Sequence, residues 1–379
     1  MRVAFVQEGL RHYRAPFFEA LRHNLGRDGI ELLLFVGAMD DDERLKQDSV
    51  ELEWAKSISI QRYRVGSRQL VWDGCLRDVR HVDLVIVEQA SRRLLNYVLL
   101  AWRRLGGPRI AFWGHGRNSA TAEASVVGEA VKRVISTAPD WWFTYNDLSA
   151  ATVERLGFPR SRISTVMNAT DTDRLVQWRR EAPQREIAAA AASAGLRGAN
   201  VGVFVGSLYP GKRLDIVIGA AKKIREEMPD FELLVVGAGA EATYVQAQAT
   251  KNPWIRYVGP KRGVELARLV AASGVIMMPA GVGLVVVEAF ALGTPVVAIP
   301  ALDHGPEIDY IRHGENGWLV DVRPGGRMIE PYAHAVVNIL RDDPLRHRLV
   351  EGCRRSAETY TLSNMVNRFA EGIRKALHA

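Results

Sequence analysis

Short apolar segments alternate with helical segments along the whole chain, and they fall into two series. The first series predicts five strands: Arg2–Gln7, Glu31–Val36, Asp83–Glu88, Arg109–Trp113 and Trp141–Tyr145. The second series predicts six: Val201–Val205, Phe231–Val236, Trp254–Val258, Val275–Met278, Pro295–Ile299 and Gly317–Val320. Continuously apolar strands are typical of parallel sheets that helices cover on both faces. Each series therefore predicts one doubly wound, Rossmann-like α/β sheet.

The length of the chain predicts two domains. It has 379 residues, and a single hydrophobic core usually divides above roughly 250–300 residues. The composition becomes charged and then Ala-rich shortly before residue 200, which indicates a junction. The predicted parts are an N-terminal domain at 1–175, a linker at 176–200, a C-terminal domain at 201–362, and an amphipathic helix at 363–379 that packs back towards the N-terminal domain.

Cysteine usage and hydropathy favour a cytoplasmic protein. Cys75 and Cys353 are the two cysteines, and their wide separation gives no support for a disulfide framework or a structural zinc site. The apolar run at the start is too short for a signal peptide, and no segment approaches the ~20 apolar residues of a membrane span. We expect a soluble protein, or one peripheral at the inner face of the plasma membrane.

The net charge of +7 is concentrated in residues 61–117, which contain eleven arginines and four acids. Within this segment the pairs Arg92/Arg93 and Arg103/Arg104 bracket an apolar stretch. Such a stretch suits a bilayer interface with arginines on anionic headgroups, and contact with an anionic membrane is one prediction. The alternative, a buried helix with solvated ends, is favoured. No nucleic-acid motif accompanies the charge, so nucleic-acid binding is not expected.

The segment Gly206–Asp215 (GSLYPGKRLD) places Lys212 at the start of a helix that follows an apolar strand. Lysine is electrostatically unfavourable at that end of a helix, which favours a functional role over an ordinary surface lysine. Its ammonium group is able to bind a diphosphate and neutralise charge on a leaving group. Gly206, Ser207 and Arg213 are the other predicted ligand-binding residues of this segment.

The segment 279–295 (PAGVGLVVVEAFALGTP) predicts a strand end, a Gly-containing bend and a helix. We expect the amides around Val282, Gly283 and Leu284 to face phosphate oxygens, because helix starts bind anions. Glu288 stands among apolar residues, where a carboxylate is seldom buried without a partner. It is predicted to accept hydrogen bonds from two ribose hydroxyls, and a structural ion pair is the alternative.

Two further segments carry candidate residues. Residues 303–317 (DHGPEIDYIRHGENG) include His304 and Glu307 and are expected to close one side of the nucleotide pocket, with ordinary turn chemistry as the alternative. The segment FWGHGRN places His115 between two glycines directly after a strand. Few packing partners are available to a histidine there, which favours a catalytic role over a structural one.

No metal or cofactor is predicted. Asp171 and Asp173 match a metal-binding spacing, but they lie near the domain junction and away from the phosphate-binding segments. Gly237 and Gly239 resemble part of a dinucleotide fingerprint, yet they lie late in the second domain rather than after its first strand. Bound NAD is therefore not expected.

The order of FVGSLYPGKRLD, VVGAGAE, GVIMMPAGVGLVVVEAFALGTPVVA and PEIDYIRHGENGWLV resembles the retaining glycosyltransferases of the GT-B fold, specifically family four and its PGxVGL-type subgroup. The similarity covers most of residues 200–330, and YRAPFFEAL, FWGHG and LGFPRSRISTVMNATD fit the same order more loosely. The resemblance implies two Rossmann-like domains facing a central cleft. It also implies metal-independent transfer of a sugar from a nucleotide-diphosphate sugar to a hydroxyl acceptor, with retained anomeric configuration.

Roles carried over by position make Lys212, Glu288 and His115 the predicted catalytic residues. The resemblance implies that Lys212 stabilises the diphosphate, Glu288 holds the ribose and His115 approaches the reacting sugar. The loop Glu8–Arg14 is expected beside the phosphates or the acceptor. The acceptor-side candidates are Gly9, His12, Tyr13, Arg14 and Arg117.

Two positions depart from the family pattern. Ala280 stands where the family usually has an acid, eight residues before the ribose-binding glutamate, and Ser207 stands where an arginine is common. Arg213 or an arginine of the first domain is the expected replacement for the missing phosphate contact. These departures predict a changed donor preference, with UDP sugars as the first expectation and GDP sugars as the second.

The acceptor is expected to be a lipid-linked or soluble glycan in cell-envelope polysaccharide or glycoconjugate synthesis. Two alternatives from other classes stay open. One is a nucleotide-sugar epimerase of the same fold, and the other is a non-catalytic protein that binds sugar nucleotides.

Overall fold

The computed structural model describes residues 1–38, 49–66, 68–116, 133–198, 200–323 and 326–379. They form two compact units, the first from Met1–Asn168 with Leu362–Ala379 and the second from Ala169–Thr361. The predicted linker at 176–200 therefore falls inside the second unit, where it overlaps the helix Asp173–Glu181 and contains the helix Gln184–Ser193. The final helix falls in the first unit.

The described strands, in chain order, are β1 (Arg2–Gln7), β2 (Glu31–Gly37), β3 (Lys56–Ile58), β4 (Ile60–Val65), β5 (Arg68–Asp73), β6 (Leu84–Glu88), β7 (Arg109–Gly114), β8 (Trp141–Thr144), β9 (Ile163–Thr165), β10 (Val201–Val205), β11 (Glu232–Val236), β12 (Ile255–Tyr257), β13 (Val275–Met277), β14 (Val296–Ala298) and β15 (Gly317–Leu319).

The described helices are α1 (Ala15–Gly26), α2 (Leu94–Arg103), α3 (Asp147–Arg155), α4 (Asp173–Glu181), α5 (Gln184–Ser193), α6 (Leu214–Glu227), α7 (Ala242–Lys251), α8 (Gly263–Ala271), α9 (Val285–Leu292), α10 (Ile329–Arg341), α11 (Asp343–Thr359) and α12 (Leu362–His378). Short 3-10 helices span His12–Arg14, Asp78–His81, Arg160–Arg162, Pro210–Lys212 and Pro306–Tyr310.

Seven of the described strands of the first unit form a parallel sheet in the order β3-β2-β1-β6-β7-β8-β9. Strands β4 and β5 form a separate antiparallel hairpin, and Val71 of β5 also makes an isolated parallel bridge with Arg93. The strand order reverses between β1 and β6, so the carboxyl ends of these two strands mark the topological switch point of the first unit.

An aromatic cluster explains why α12 belongs to the first unit. Phe369 stacks on Phe143 with ring centroids 4.5 Å apart, and its ring lies edge-on to Trp113 at 5.1 Å. Gly372, one turn later, allows this approach, because an added Cβ would lie 2.6 Å from the Phe143 ring and 2.4 Å from Ser164 Oγ. Burial of large aromatic rings dominates the packing energy of such a cluster.

The second unit has a parallel sheet in the order β12-β11-β10-β13-β14-β15. Its central strands are buried along their described lengths, as the apolar runs in the sequence predict. The order reverses between β10 and β13. In sheets of this kind ligands bind outside the carboxyl ends of the strands at that reversal. A ligand-binding site is therefore expected at the loops after β10 and β13.

The arginine-bracketed segment forms helix α2, with Leu95 and Leu99 buried in the first unit. Tyr97 and Val98 on the same helix remain partly exposed. In the described ranges, no helix combines the length and the apolar character that crossing a membrane requires.

Candidate active site

Three loops of the second unit meet at the carboxyl edge of its sheet. They follow β10, β13 and β14, which are neighbours in the sheet. The Gly281 amide donates to the Asp303 carbonyl at 2.7 Å, and the Gly305 amide donates to the Val282 carbonyl at 2.7 Å. The three segments that the sequence singled out in this half of the chain are thus brought together at the switch point.

Lys212 joins the first of these loops to the second. It ends the 3-10 helix before α6, and its ammonium group donates a hydrogen bond to the Gly281 carbonyl. Gly281 has a φ of +65°, and an added Cβ would lie 2.7 Å from the Lys212 Cδ. Both the positive φ and the close approach require glycine. The ammonium lies near Gly206, whose built Cβ position is 3.9 Å from Nζ.

Arg213, the residue after Lys212, is paired with Asp215. It adopts a left-handed conformation, with φ 54° and ψ 50°, as the residue that precedes α6. Its guanidinium makes a bidentate pair with Asp215, with Nε to Oδ1 at 2.9 Å and Nη2 to Oδ2 at 2.8 Å. These hydrogen bonds lower the pKa of Asp215. Arg213 would have to leave Asp215 to replace the phosphate contact that Ser207 does not supply.

The bend before α9 uses one of its predicted amides inside the protein. The Val282 amide donates to His304 Nδ1 at 3.2 Å, and His304 Nε2 lies 2.8 Å from the Ile299 carbonyl. This corrects the expectation that the Val282 amide faces phosphate, because the histidine ring already satisfies it. The amides of Gly283 and Leu284 donate to no acceptor within the described residues. They remain predicted phosphate ligands, because amides at a helix start have no acceptor within the helix.

His304 has the geometry of a structural bridge. Since Nδ1 accepts from an amide, Nε2 must carry the proton that it donates to Ile299, which is the neutral tautomer. Burial is the main cause that lowers the pKa of His304, and the positive charge of Lys212 adds to it. A neutral ring with both nitrogens engaged holds the bend in place and is not suited to proton transfer.

Glu307 is buried in the 3-10 helix Pro306–Tyr310. A Cβ added to Gly305 would lie 2.7 Å from Glu307 Oε2 and 2.9 Å from the Val282 carbonyl. Glycine at 305 therefore leaves room for the Glu307 carboxylate on one side and for the Val282 carbonyl on the other. The structure thus brings both predicted residues of the loop, His304 and Glu307, to the same edge.

Glu288 lies in the first turn of α9, between helix neighbours that are buried and apolar. Its carboxylate makes no hydrogen bond or ion pair with any described residue, and neither oxygen is among the fully buried, unpartnered atoms. The oxygens thus reach solvent, although the side chain is only partly exposed. Loss of hydration raises the pKa of Glu288 to about 7. The structural ion pair that was the alternative is absent from the described chain.

The two family departures have different surroundings. Ala280 is buried, so the bend presents no carboxylate where the resemblance expects one. Ser207 directly follows Gly206, which has a φ of +147° and closely approaches a second glycine loop. An added Cβ on Gly237 would lie 1.9 Å from the Gly206 carbonyl. The backbones of Gly206 and Gly237 are therefore in close contact beside Ser207.

Candidate residues of the first unit lie after β1 and β7. His115 follows β7, with its ring centroid 6.3 Å from that of Tyr145. Gly116 has a φ of +70°, and its added Cβ would lie 2.8 Å from Val153 Cγ2. The glycine after His115 is thus required by the packing against α3.

The loop after β1 contains the other acceptor-side candidates. Arg14 Nη1 donates to Asn168 Oδ1 at 2.7 Å, and the guanidinium carbon lies 4.8 Å from the Trp113 ring centroid. His12 is exposed, with its ring 5.8 Å from that of Tyr13, and Gly9 is half-buried. Arg117 lies outside the described residues.

Sequence reasoning missed a charged cluster at the switch point of the first unit. Glu8, directly after β1, is bound by Arg62 at 3.3 Å and by Arg92. Arg93, predicted at a solvated helix end, is instead fully buried against Asp73. Burial raises the pKa of Asp73 even though the arginine opposes the shift. The position of Glu8 after an apolar strand was the signal that could have identified it.

Acidic and histidine side chains are also the usual protein ligands of metal ions. In the described parts of the chain, no group of three or more His, Cys, Asp or Glu residues is arranged to hold a metal ion. Asp171 and Asp173 are exposed at the start of α4.

Part of the second unit is similar in sequence to a known protein family. Residues 199–342 match the family model described as Glycosyl transferases group 1. A D-inositol 3-phosphate glycosyltransferase of Nocardioides is 27% identical over 195 residues, which cover 46% of this chain and 41% of that protein. A phosphatidyl-myo-inositol mannosyltransferase of Mycobacterium tuberculosis is 31% identical over 159 residues, 41% of each chain. The chain thus matches about two fifths of the length of these relatives.

Solved structures are similar over nearly the whole chain. The crystal structure of Anabaena HepE in complex with UDP has a TM-score of 0.71 at 16% identity, and covers 99% of this chain and 100% of its own. WaaG, a glycosyltransferase of lipopolysaccharide biosynthesis, has a TM-score of 0.63 at 15% identity, with 97% and 98% covered. The protein therefore has the α/β fold of the GT-B glycosyltransferases, and its residues 199–342 are similar to the Glycosyl transferases group 1 family.

Proposed function

We propose that this protein is a glycosyltransferase that moves a sugar from a nucleotide-diphosphate sugar to a hydroxyl group of an acceptor. The observation that carries the proposal is the unpartnered carboxylate of Glu288. It lies one helical turn beyond the unused amides of Gly283 and Leu284, on the loop that Lys212 contacts. An unpaired carboxylate in apolar surroundings is costly unless a ligand supplies its hydrogen bonds.

Each of these groups has a distinct proposed role. Ribose hydroxyls donate to Glu288, which keeps the carboxylate ionised when the nucleotide is bound. Phosphate oxygens accept from the amides at the start of α9, where the helix dipole also favours negative charge. The Lys212 ammonium, fixed against Gly281, neutralises the charge that develops on the diphosphate as the bond to the sugar breaks.

The retaining course and the independence from metal rest on the resemblance in motif order. In this proposal the acceptor hydroxyl attacks from the face that the diphosphate leaves, through an oxocarbenium-like state. A phosphate oxygen of the leaving group takes the acceptor proton, so no enzymic base is needed. His115 approaches the reacting sugar in the same scheme.

UDP sugars are the proposed donors, with GDP sugars second. The similar HepE structures contain UDP and UDP-glucose, which supports this order. Ala280 and Ser207 remove two polar groups that the family pattern would place near the donor. We infer that the sugar preference differs from that of relatives with both groups present.

The proposed acceptor is a lipid-linked or soluble glycan of the cell envelope, used at the cytoplasmic face of the membrane. Two of the relatives carry inositol phosphate or phosphatidylinositol in their names, which supports a hydroxyl-rich acceptor. The lipopolysaccharide role stated for WaaG supports an envelope function.

Calorimetry with a panel of nucleotides and nucleotide sugars tests the donor site. UDP or a UDP sugar should bind the wild type, and Glu288→Gln should weaken that binding by about ten- to a hundredfold, because the ribose loses a charged acceptor. Leu266→Met on α8 is a volume-conserving control that should bind like the wild type. Absence of binding to every nucleotide would refute the proposal.

Turnover assays separate the proposed function from its alternatives. A transferase consumes donor only when an acceptor is added, whereas an epimerase releases free UDP and sugar without one. A non-catalytic binder shows the calorimetric signal and never consumes the donor.

A further inference from the structure

Tyr209 is an exposed aromatic residue on the loop that follows β10. Its side chain is 41% exposed, whereas the preceding Leu208 is fully buried. The Lys212 ammonium lies over the Tyr209 ring, with Nζ 5.7 Å from the ring centroid. This distance is within the range of a cation–π interaction. The ring therefore contributes little buried area to the core of the second unit, and its face is used by the lysine.

The backbone of a tight turn holds the ring and the lysine together. Tyr209 is extended, with φ −139° and ψ 160°, as expected of a residue before proline. Pro210 begins the 3-10 helix and fixes its own φ. The Lys212 amide donates to the Tyr209 carbonyl at 2.9 Å, which closes the turn. Little backbone freedom thus separates the ring from the ammonium group.

Gly211 leaves room for the ring beside this turn. An added Cβ on Gly211 would lie 2.7 Å from Tyr209 Cε2 and 3.3 Å from Tyr209 Cδ2. Gly211 is not among the glycines with a positive φ, so its backbone would accept alanine. The alanine methyl group would instead displace the ring. Glycine at 211 is therefore explained by the position of the Tyr209 ring.

The two contacts of the Lys212 ammonium are with neutral groups. It donates a hydrogen bond to the Gly281 carbonyl, and it lies over the Tyr209 ring. Neither contact cancels its positive charge. The next residue differs, because Arg213 makes a bidentate pair with the Asp215 carboxylate. The surroundings of Lys212 therefore fix its position and preserve its charge.

We propose that Tyr209 is a positioning residue, whose ring face holds the Lys212 ammonium in place for the diphosphate of the donor. This role rests on the proposed function. The lysine stem is flexible, and an ammonium that is fixed before binding loses less conformational entropy when the diphosphate arrives. Tyr209 acts on the ligand through Lys212, and the ring rather than the hydroxyl group carries the effect.

NMR of protein with ¹³C-labelled lysine measures the position of Lys212 without any ligand. Protons above the face of an aromatic ring resonate upfield, so the Lys212 ε-methylene signal should be shifted upfield in the wild type. Tyr209→Phe should keep the shift, and Tyr209→Leu should abolish it. Lys212→Arg removes the signal and thereby assigns it. An unchanged Lys212 signal in Tyr209→Leu would refute the proposal.

Calorimetry with UDP and with GDP measures the consequence for binding. Tyr209→Leu should weaken binding of the accepted nucleotide about threefold to tenfold, and Tyr209→Phe should restore it. In a Lys212→Ala protein, Tyr209→Leu should cause no further loss, because the ring acts through the lysine. An equal loss with and without Lys212 would make Tyr209 a direct ligand contact and would overturn the positioning role.

A matched control comes from the first unit. Tyr63 of β4 is 47% exposed, so Tyr63→Leu makes the same chemical change elsewhere. That variant should bind nucleotide like the wild type. Thermal unfolding should place Tyr209→Leu close to the wild type, since the residue it removes is exposed. A large loss of stability that accounts for the weaker binding would favour a structural role and contradict the proposal.

Gly211→Ala keeps the test valid if Tyr209→Leu does not fold. It retains the tyrosine but displaces the ring, so it should move the Lys212 signal and weaken nucleotide binding severalfold. A folded Gly211→Ala protein that matches the wild type in both measurements would count against the proposal.

Different results refute the two proposals. Wild-type protein that binds no nucleotide would refute the proposed function, whatever the NMR signal of Lys212 shows. Normal nucleotide binding by the wild type and by Tyr209→Leu alike would leave the proposed function standing and refute the positioning role alone.

Discussion

The carboxyl edges of the two sheets share a parallel-strand geometry, yet they differ in how they treat charge. At the first edge Glu8 is held by Arg62 and Arg92, and Asp73, which ends the neighbouring hairpin strand β5, is held by Arg93. In the second unit, Glu288 has no partner among the described residues, and its pKa is raised to about 7. A paired carboxylate is explained by the protein itself, whereas an unpaired one points to a ligand.

The strongest test of this comparison is Lys212→Ala, which removes the cation from the second edge. Turnover should fall by about a thousandfold or more, because removing one such group from a developing charge costs roughly 3–4 kcal/mol. Nucleotide release from the donor identified by calorimetry, with acceptor present, measures the effect. Lys222→Ala on the outer part of α6 is the matched control. Near-normal activity of Lys212→Ala would remove this residue from the mechanism.

The buried pair of the first edge should matter for stability. Asp73→Ala leaves Arg93 charged and buried, so the free energy of unfolding should fall by about 3–5 kcal/mol. Denaturant unfolding measures the change, and Asp78→Ala at an exposed position should have little effect. A small loss at Asp73 would show that the two edges do not differ in the way described.

Glu288→Gln should raise stability while it weakens nucleotide binding. The folded-state pKa of Glu288 lies above its ordinary value, so the folded protein binds more protons and its stability falls as the pH rises from 4.5 to about 7. Above that range the ionised carboxylate lowers the stability of the unliganded protein by about 1–3 kcal/mol. Thermal unfolding of both proteins at pH 5 and pH 8 should show a gain for Glu288→Gln only at the higher pH. A gain of equal size at both pH values would contradict this assignment.

Glu8→Gln should have the smallest effect on stability, and it tests whether the first edge binds a ligand. Arg62 and Arg92 keep solvent access, so the free energy of unfolding should change by about 1 kcal/mol or less. Calorimetry should find UDP binding unchanged. A large loss of acceptor-dependent turnover at unchanged stability would instead make Glu8 a ligand-binding residue, and the two edges would then be alike in function.

Much of the second unit could be predicted because its signals are local. Apolar runs defined β10, β11 and β13, and Lys212 and Glu288 stand out by their charge at helix starts. The helix expected near 284–292 is α9, at Val285–Leu292. The bond from the Val282 amide to His304 spans 22 residues, and no local pattern fixes the relative position of two loops. This hydrogen bond could not be predicted because it depends on the tertiary structure.

The hairpin and the buried arginine of the first unit were harder to predict from the sequence, for a related reason. Strands β4 and β5 mix arginines with aromatic and aliphatic residues, so the charge concealed the alternation that defines the hairpin. Arg93 looked like a solvated helix end, and its burial depends on Asp73, twenty residues earlier. The final amphipathic helix was expected, but the aromatic rings that receive Phe369 are distributed over distant segments.

Helix α12 has a consequence for biosynthesis. The second unit is contiguous in sequence, from Ala169 to Thr361. Phe369 belongs to the first unit but is synthesised after the whole of the second. Domains generally fold in the order of their synthesis, but here the earlier unit has to wait with Phe5, Phe17 and Trp113 incompletely covered. The later unit is free to mature first, and nascent chains are exposed to aggregation through this aromatic surface until translation reaches the last helix.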